Sequence, residues 1–303
     1  MHRIKFASCL IQTDGPLDVM LSMSPMRHGP RDPTTRLAPG AVCRSFRTPS
    51  GAAAGRFSET SDGIRVEAWG DGASWVIENA RDMVGAHDSG AGDPPAIPKL
   101  VPLSRKLRGL RFPKTRMVCD ALIPAVLEQK VTSKEAFHSY RMLTERYSEP
   151  APGPLSLTLP VDPQRIRKLP YYAFHQLGVE RKRAETLLRV AECSDRLEET
   201  VSMPLALAYR RLLSIAGVGR WTAAETARIA FGDTDAVSVG DYHLPHLVSW
   251  ALTGKRRGSD ELMIELLEPC RPERARAVRL IELGVPKPQR RAPRAPRRDL
   301  RAI

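Results

Sequence analysis

The chain has 303 residues, of which 42% are apolar and 27% charged, so it can bury a core and is not a disordered polymer. It contains 47 Lys and Arg against 34 Asp and Glu, and this net charge of +13 favours a polyanionic partner such as nucleic acid or an anionic membrane surface. No apolar run approaches the roughly 18 residues of a membrane span, and the first 21 residues lack the features of a signal peptide.

The first part of the chain has the pattern of β-strands. Apolar residues alternate with polar or small ones, and Gly and Pro separate the runs, as in an antiparallel meander. We therefore predict an N-terminal extension over 1–14 and a small antiparallel β domain over 15–85 that ends in one helix, 73–84. The predicted strands include 17–23, 41–46 and 64–69.

A helical pattern follows. Residues 86–102 are rich in Gly, Pro and Asp and are interpreted as a linker. Over 103–284 apolar residues recur with helical spacing, which predicts an all-helical domain. Thr132 and Glu135 have the spacing of a capping box, which marks the start of one helix. Others are predicted over 118–126, 179–190, 221–231, 242–252, 260–269 and 273–283.

Residues 285–303 form a basic tail. This segment holds seven Lys or Arg residues, one Asp and four prolines, with little to bury, and is predicted to be disordered. Because the tail carries nearly half of the net charge, the folded body is only mildly basic. A specific DNA-binding face must therefore arise from where the charges are placed.

The segment 213–224, LSIAGVGRWTAA, carries the most informative pattern. An apolar helix ends, Gly217-Val218-Gly219 makes a turn, and a second helix begins. The glycines let the backbone turn sharply and approach a ligand closely, and the N–H groups that begin the second helix suit a phosphate. Arg220 stands beside them. Taken alone, this spacing also fits an ordinary helical hairpin.

The whole segment resembles the helix-hairpin-helix element of DNA repair glycosylases. Residues 235–244, DAVSVGDYHL, resemble the loop and Asp that complete the helix-hairpin-helix–GPD signature. Both motifs are most similar to those of the inducible bacterial DNA-3-methyladenine glycosylases, and 122–132 is similar to their first core helix and the loop after it. The resemblance covers roughly 15–284. It implies an α+β protein with a small antiparallel β domain followed by an all-helical helix-hairpin-helix glycosylase domain.

By its position in the motif, the resemblance makes Asp241 the catalytic carboxylate. Cleavage of an N-glycosidic bond leaves an oxocarbenium-like sugar, and a nearby carboxylate stabilises that charge and can orient the attacking water. The simpler interpretation is that Asp241 caps the helix predicted over 242–252. The two roles are compatible, because a helix N-terminus favours a negative charge.

Aromatic residues are expected around the base. In lyase-competent relatives a Schiff-base Lys follows the hairpin Gly-x-Gly-x, whereas this chain has Trp221. Water is therefore the expected nucleophile, and the enzyme is expected to be monofunctional. Trp221 also suits stacking on a cationic methylated purine, although core packing would explain it too. Tyr242 is a further candidate for the base pocket, whereas Trp250 is assigned to core packing.

DNA contacts are expected from the hairpin and from the loop that follows the first core helix. Gln129 and Lys130 match the loop whose residues fill the gap left by a flipped base. Because the family usually has an apolar wedge after the Gln, Lys130 is either a departure at the wedge or a phosphate contact. A solvated loop is the alternative for both residues. The hairpin residues assigned to DNA are Gly217, Val218, Gly219, Arg220 and Thr222.

No cofactor is expected for the chemistry. The five cysteines are scattered without a CxxC pair, which argues against a zinc ribbon or an iron–sulfur cluster and fits reduced thiols in a cytoplasm. In relatives, hairpin carbonyls bind a monovalent cation that bridges to DNA phosphate. The matching carbonyls here belong to Leu213, Ile215 and Val218.

The expected function is the hydrolytic removal of alkylated, 3-methyladenine-type bases that are flipped out of duplex DNA, in base excision repair. The protein is expected to be a cytoplasmic, nucleoid-associated monomer without membrane contact. A non-catalytic helix-hairpin-helix DNA-binding protein is the alternative, and the presence of Asp241 argues against it. A membrane-surface protein would explain the basic tail but not the hairpin.

Overall fold

The computed structural model describes residues 4–90, 93 and 95–286, and it combines one antiparallel sheet with many helices. The α+β class is therefore confirmed. The strands are β1 (Phe6–Ile11), β2 (Thr35–Ala38), β3 (Ala41–Thr48), β4 (Gly51–Thr60) and β5 (Gly63–Trp69). In the sheet their order is β1-β5-β4-β3-β2, with antiparallel pairing throughout.

The α-helices of the described residues are α1 (Val19–Met23), α2 (Ala73–Glu78), α3 (Ala80–Met83), α4 (Val101–Lys106), α5 (Val118–Leu127), α6 (Ser133–Tyr147), α7 (Pro163–Arg167), α8 (Tyr171–His175), α9 (Arg181–Glu192), α10 (Ser194–Glu198), α11 (Leu205–Leu213), α12 (Arg220–Ala230), α13 (Leu244–Thr253), α14 (Asp260–Leu267) and α15 (Arg274–Gly284). Short 3-10 helices cover Ser24–Met26, Pro98–Leu100, Glu199–Ser202 and Glu268–Cys270. None of the helices in this part of the chain is long and apolar enough to cross a membrane.

Three details of the first 85 residues differ from the sequence-based expectation. The predicted extension over 1–14 contains β1, an edge strand that pairs with β5, so this part of the prediction is wrong. Its alternation is hidden because the exposed face carries Phe6 and Leu10, and Phe6 packs on Trp69 at 5.6 Å between ring centroids.

The predicted strand over 17–23 is instead the helix α1. The Asp18 carboxylate accepts the Leu21 N–H at 2.8 Å and thereby caps the helix, which favours helix over strand at this point. The single helix predicted over 73–84 is two helices, α2 and α3, which meet at Asn79. There the Asn79 side-chain amide donates to the Trp75 carbonyl at 2.9 Å.

The segment predicted as a linker, 86–102, is partly ordered into the helical core. It contains the 3-10 turn Pro98–Leu100 and the start of α4, and Leu100 is buried among residues of α13, α14 and α15. Residues 91, 92 and 94 of this segment lie outside the described residues, as does the predicted disordered tail beyond Pro286. The division of the chain into domains stays a prediction.

Helix α5 forms the centre of the helical part. Every residue of α5 except Asp120 is buried, and the helix packs against α9 and α12. Asp120 accepts the guanidinium of Arg44, a buried residue of β3, at 2.6 Å. This ion pair ties the sheet to the helix whose end carries Gln129 and Lys130. The capping box of Thr132 and Glu135 at the start of α6 is confirmed.

Candidate active site

The hairpin predicted from the sequence is present between α11 and α12. The Val218 N–H donates to the Ile215 carbonyl at 2.9 Å and closes the turn. Gly217 has φ of +98°, a conformation that L side chains rarely adopt. Gly219 is extended, with φ of −95° and ψ of −178°, and precedes the first residue of α12, the exposed Arg220. The turn therefore presents backbone N–H groups and a cation together at the surface.

The two glycines, which the sequence treats alike, meet different surroundings. A Cβ atom on Gly217 would lie 2.1 Å from Oγ1 of Thr186 in α9, so this glycine lets the turn pack on α9. A Cβ atom on Gly219 would meet no atom within 4 Å. Gly219 is therefore open to an approaching ligand, whereas Gly217 serves the packing of the turn.

Gln129 is held against the hairpin rather than free in a loop. Its side-chain amide donates to the Gly217 carbonyl and to Oγ1 of Thr222, both at 2.9 Å. Thr222 is only 2% exposed, so its side chain faces Gln129 and not the solvent. Val218 is likewise buried in the core, which leaves its backbone as the part near the surface.

Lys130 follows Gln129 and is exposed. Its φ of +52° is uncommon for a residue with a side chain and turns the backbone sharply after α5. Lys130 and Arg220 have no acidic partner within 4 Å among the described residues. The hairpin and the adjoining loop thus offer two uncompensated positive charges.

Asp241 and Trp221, which the motifs place 20 residues apart, are joined by a hydrogen bond. The indole Nε1–H of Trp221 donates to Oδ2 of Asp241 at 3.1 Å. The other carboxylate oxygen, Oδ1, accepts the N–H groups of His243 and Leu244 at 2.7 and 2.8 Å and so caps α13. Both side chains are half-buried. Asp241 therefore has a fixed orientation and is only partly shielded from solvent.

Tyr242, the second predicted pocket residue, stands in solvent beside Asp241. It is 81% exposed, and its ring meets the edges of His243 and His246, with centroids 4.8 and 6.4 Å away. Trp250 lies elsewhere and is half-buried: its indole N–H donates to the Pro286 carbonyl at 3.3 Å, and the Arg256 guanidinium lies 5.9 Å from the centre of its ring. The core packing predicted for Trp250 is thus not seen, because the residue joins none of the buried clusters of the described residues. Trp221 is thus the aromatic residue in direct contact with Asp241.

The sequence analysis missed Glu225, which lies one helical turn after Trp221 on α12. Its carboxylate accepts the Ser238 hydroxyl and pairs with Arg228 at 2.5 Å. The Ser238 carbonyl in turn accepts the Asp241 N–H at 3.3 Å, so Glu225 connects α12 to the loop that carries Asp241. The i, i+4 spacing from Trp221 puts Glu225 on the same helix face, which is the one signal that could have indicated it.

Glu225 and Arg228 shift each other's pKa. Burial raises the pKa of Glu225 above its ordinary value, although Arg228 and the Ser238 hydrogen bond act to lower it. For Arg228, burial lowers the pKa, but Glu225, Glu282 and Glu128 outweigh this and raise it. Arg228 therefore stays cationic close to Asp241, whose charge also acts on it.

No group of three or more His, Cys, Asp or Glu side chains within the described ranges is arranged to hold a metal ion. The five cysteines are free thiols, and Cys43, Cys119 and Cys270 are buried. Two of the three predicted hairpin carbonyls have acceptor capacity to spare. Leu213 ends α11, where a helix leaves its carbonyls unpaired, and the Ile215 carbonyl keeps a second lone pair beside the Val218 N–H.

No protein-family model matches the chain. Over 224 residues it is 29% identical to two curated proteins from strains of Mycobacterium tuberculosis, each described as a probable bifunctional transcriptional activator/DNA repair enzyme AlkA. The match covers 68% of this chain and 43% of those proteins, so the chain spans less than half the length of these curated relatives.

Two solved structures have similar architecture. A 3-methyladenine DNA-glycosylase from Archaeoglobus fulgidus matches with a TM-score of 0.75 and 20% identity, over 90% of this chain and 97% of that one. An 8-oxoguanine glycosylase/lyase from Clostridium acetobutylicum matches with a TM-score of 0.70 and 10% identity, over 92% and 97% of the two chains. At these identities the likeness establishes the fold.

Proposed function

We propose that this chain, which has the fold of the helix-hairpin-helix DNA glycosylases, hydrolyses the N-glycosidic bond of alkylated bases in duplex DNA, as a step of base excision repair. The observation that carries the proposal is the Asp241 carboxylate, fixed by Trp221 and by the start of α13 next to the hairpin turn. The alkylated class of substrate is supported by the name of the Archaeoglobus protein, and a role in DNA repair by the name of the Mycobacterium proteins.

In the reaction, Asp241 supplies negative charge where the sugar becomes positive. As the bond to the base breaks, the carboxylate stabilises the oxocarbenium-like sugar and accepts a proton from the attacking water. The N–H groups that hold Oδ1 keep the carboxylate oriented, and the Trp221 bond sets the direction of Oδ2. Because these bonds are already formed, little reorganisation accompanies the reaction.

The proposed enzyme is monofunctional. Trp221 stands at the motif position where lyase-competent relatives have a nucleophilic Lys. An indole cannot form a Schiff base. Water is then the nucleophile, and the product is an intact abasic site. The half-buried indole offers a surface on which an electron-poor alkylated base can stack.

DNA is proposed to be held through its backbone. Gly219 leaves room for a phosphate, and the exposed Arg220 and Lys130 supply positive charge. Gln129, which precedes Lys130, is tied to the turn. The carbonyls of Leu213, Ile215 and Val218 would hold a monovalent cation, which would supply positive charge for a phosphate. We further propose that the protein acts as a monomer on the nucleoid in the cytoplasm.

The test measures the bases released from methylated duplex DNA by the wild type, by Asp241→Asn and by Asp18→Asn. Asp18 is a matched control, because it also caps a helix and Asn caps as well as Asp does. Asp241→Asn is expected to lose on the order of a hundredfold or more in single-turnover rate while duplex binding survives. Asp18→Asn should keep the rate.

An equal rate for wild type and Asp241→Asn would remove the catalytic assignment. Duplex binding without any base release by the wild type would instead favour the non-catalytic DNA-binding protein. Borohydride trapping of a protein–DNA adduct would contradict the monofunctional mechanism.

A further inference from the structure

A second exposed surface combines positive charges with aromatic rings and lies away from Asp241. We call it the α7–α9 patch, after the helices that carry it. It consists of Arg167, Lys168, Tyr171, Tyr172, Arg181 and Lys182.

Large aromatic side chains are unusually exposed in this patch. Tyr171 is 52% exposed and Tyr172 is 65% exposed, and their ring centroids are 6.3 Å apart. The guanidinium of Arg181 lies over the Tyr171 ring at 5.5 Å, which fixes a cation on an aromatic face at the surface. Burial cannot account for these side chains, so their surface position calls for a partner.

The charge of the patch is mostly uncompensated. Arg181 pairs with Glu185 at 2.7 Å. The side chains of Arg167, Lys168 and Lys182 have no acidic partner within 4 Å anywhere in the residues that the structure describes. Helices α7 and α8 both pack on α9, so they bring these three free cations and the two tyrosines onto adjoining helices. Such a set matches the spaced negative charges of a nucleic-acid backbone.

Helix α9 connects the patch to the hairpin. Thr186 lies under Gly217, and its hydroxyl donates to the carbonyl of Lys182 one turn earlier at 2.8 Å. On the next turn, Arg189 donates to the Ala216 carbonyl of the hairpin at 3.4 Å. Lys182 is therefore about one helical turn, about 5 Å, along α9 from the residue that supports the hairpin.

The loop before α9 is also fixed to the rest of the interface. The buried guanidinium of Arg183 donates to the Leu127 carbonyl at 2.5 Å and to the Glu180 carboxylate at 2.6 Å. Leu127 ends α5, the helix that leads to Gln129 and Lys130. The patch, the loop and the hairpin are thus parts of one connected surface.

We propose that the α7–α9 patch binds the DNA backbone next to the hairpin, so that the protein holds the duplex asymmetrically, along one flank of the lesion. The proposal rests on the proposed function, because its occupant is the duplex that the hairpin holds.

The test compares two double variants of the full chain that each remove two exposed, unpaired charges. Arg167→Gln/Lys182→Gln changes the patch. The control, Lys106→Gln/Arg196→Gln, changes α4 and the helix that follows the far end of α9. Both variants are titrated with three duplexes that each carry one abasic-site analogue. One duplex is long on both sides of the analogue, and the other two are each shortened on one side.

The patch variant is expected to bind more weakly than wild type on the long duplex and on one of the two shortened duplexes, and to equal wild type on the other. Because two phosphates are no longer neutralised, the negative slope of log affinity against log salt should become shallower by about 1.8. The defect should therefore shrink about twelvefold between 50 and 200 mM salt. The control variant should behave like wild type on every duplex.

Identical titrations for the patch and control variants would overturn the proposal and leave the surface to a protein partner. Equal weakening on all duplexes, whichever flank is cut, would overturn the asymmetric footprint. Failure of the wild type to release alkylated bases would count against the proposed function. That outcome is measured separately, in the base-release assay on methylated duplex DNA. If the double variant unfolds, Lys182→Gln against Arg196→Gln gives the same comparison with about half the change in slope.

Discussion

Gly217 and Gly219 are two residues apart but contribute to different properties of the hairpin. Gly217 has a positive φ and leaves no room for a methyl group beside Thr186, whereas Gly219 has ordinary extended geometry and open space around it. Substitution at the first site should therefore act on folding, and substitution at the second should act on what approaches the turn.

We expect Gly217→Ala to destabilise the protein by about 1–3 kcal/mol, because the new Cβ strains the backbone and displaces Thr186. Gly219→Ala should leave the melting temperature within a degree or two of wild type but weaken binding to damaged and undamaged duplex alike, since phosphate contacts carry no sequence information. Thermal melts and duplex titrations of both variants give the comparison. A stable Gly219→Ala variant with unchanged affinity would mean that phosphate does not approach there.

At the scale of elements, the site depends on the contact between α12 and the loop before α13. Trp221 and Glu225 lie on successive turns of α12, and each bonds to the loop, one through Asp241 and the other through Ser238. The Asp241 carboxylate is therefore positioned by a helix that itself begins at the hairpin. The proposed phosphate site at the turn and the proposed chemistry at Asp241 would therefore share one helix, α12.

We expect Ser238→Ala to slow single-turnover base excision about tenfold while duplex affinity stays unchanged, because one charge-assisted hydrogen bond to Glu225 is removed behind the loop. Ser249→Ala is the matched control: Ser249 is also buried, and its hydroxyl donates to the Arg257 carbonyl at 3.0 Å in a contact unrelated to Asp241. An equal effect of both substitutions would indicate general destabilisation rather than positioning of Asp241.

Elements with a local signal can be predicted from the sequence. The stripe of α5, the capping box of α6 and the glycine turn before α12 all depend on neighbours along the chain, and each is present. β1 is not predictable in this way, because Phe6 and Leu10 make its outer face apolar, and α1 depends on one carboxylate cap at Asp18.

In the candidate site, too, only the residues that belong to a sequence motif can be predicted. Asp241 and Trp221 can be found because they stand in two motifs of known spacing, and the structure brings them together. Glu225 and Ser238 cannot, since no pattern states which face of α12 meets which loop. The burial of Thr222 and Val218, predicted as DNA contacts, likewise depends on packing that only the folded chain defines.

At the scale of the whole molecule, sheet and helices are connected by a buried ion pair. Arg44 of β3 and Asp120 of α5 meet at 2.6 Å, and Arg44 also donates to the Met26 carbonyl at 2.8 Å. Loss of one partner would leave the other charged and buried, a cost of about 3–5 kcal/mol. The pair thus fixes how the sheet sits on the helix that leads to Gln129. The proposed interface with DNA would therefore depend on both parts of the fold.

At the same scale, we propose that the basic tail adds to DNA binding. Val285 donates to the Ile281 carbonyl and Pro286 accepts the Trp250 indole, so the folded body extends to Pro286 and the cut belongs after that residue. The residues beyond Pro286 hold seven Lys or Arg and one Asp.

We expect truncation after Pro286 to preserve the melting temperature and the single-turnover excision rate at saturating enzyme, but to lower duplex affinity at low salt. Each phosphate that the tail neutralises in the full chain should make the salt slope of the truncated protein shallower by about 0.9, so titrations at several salt concentrations measure how many phosphates the tail binds. An unchanged slope would show that the tail does not touch DNA, and a lower melting temperature would show that it packs on the folded body.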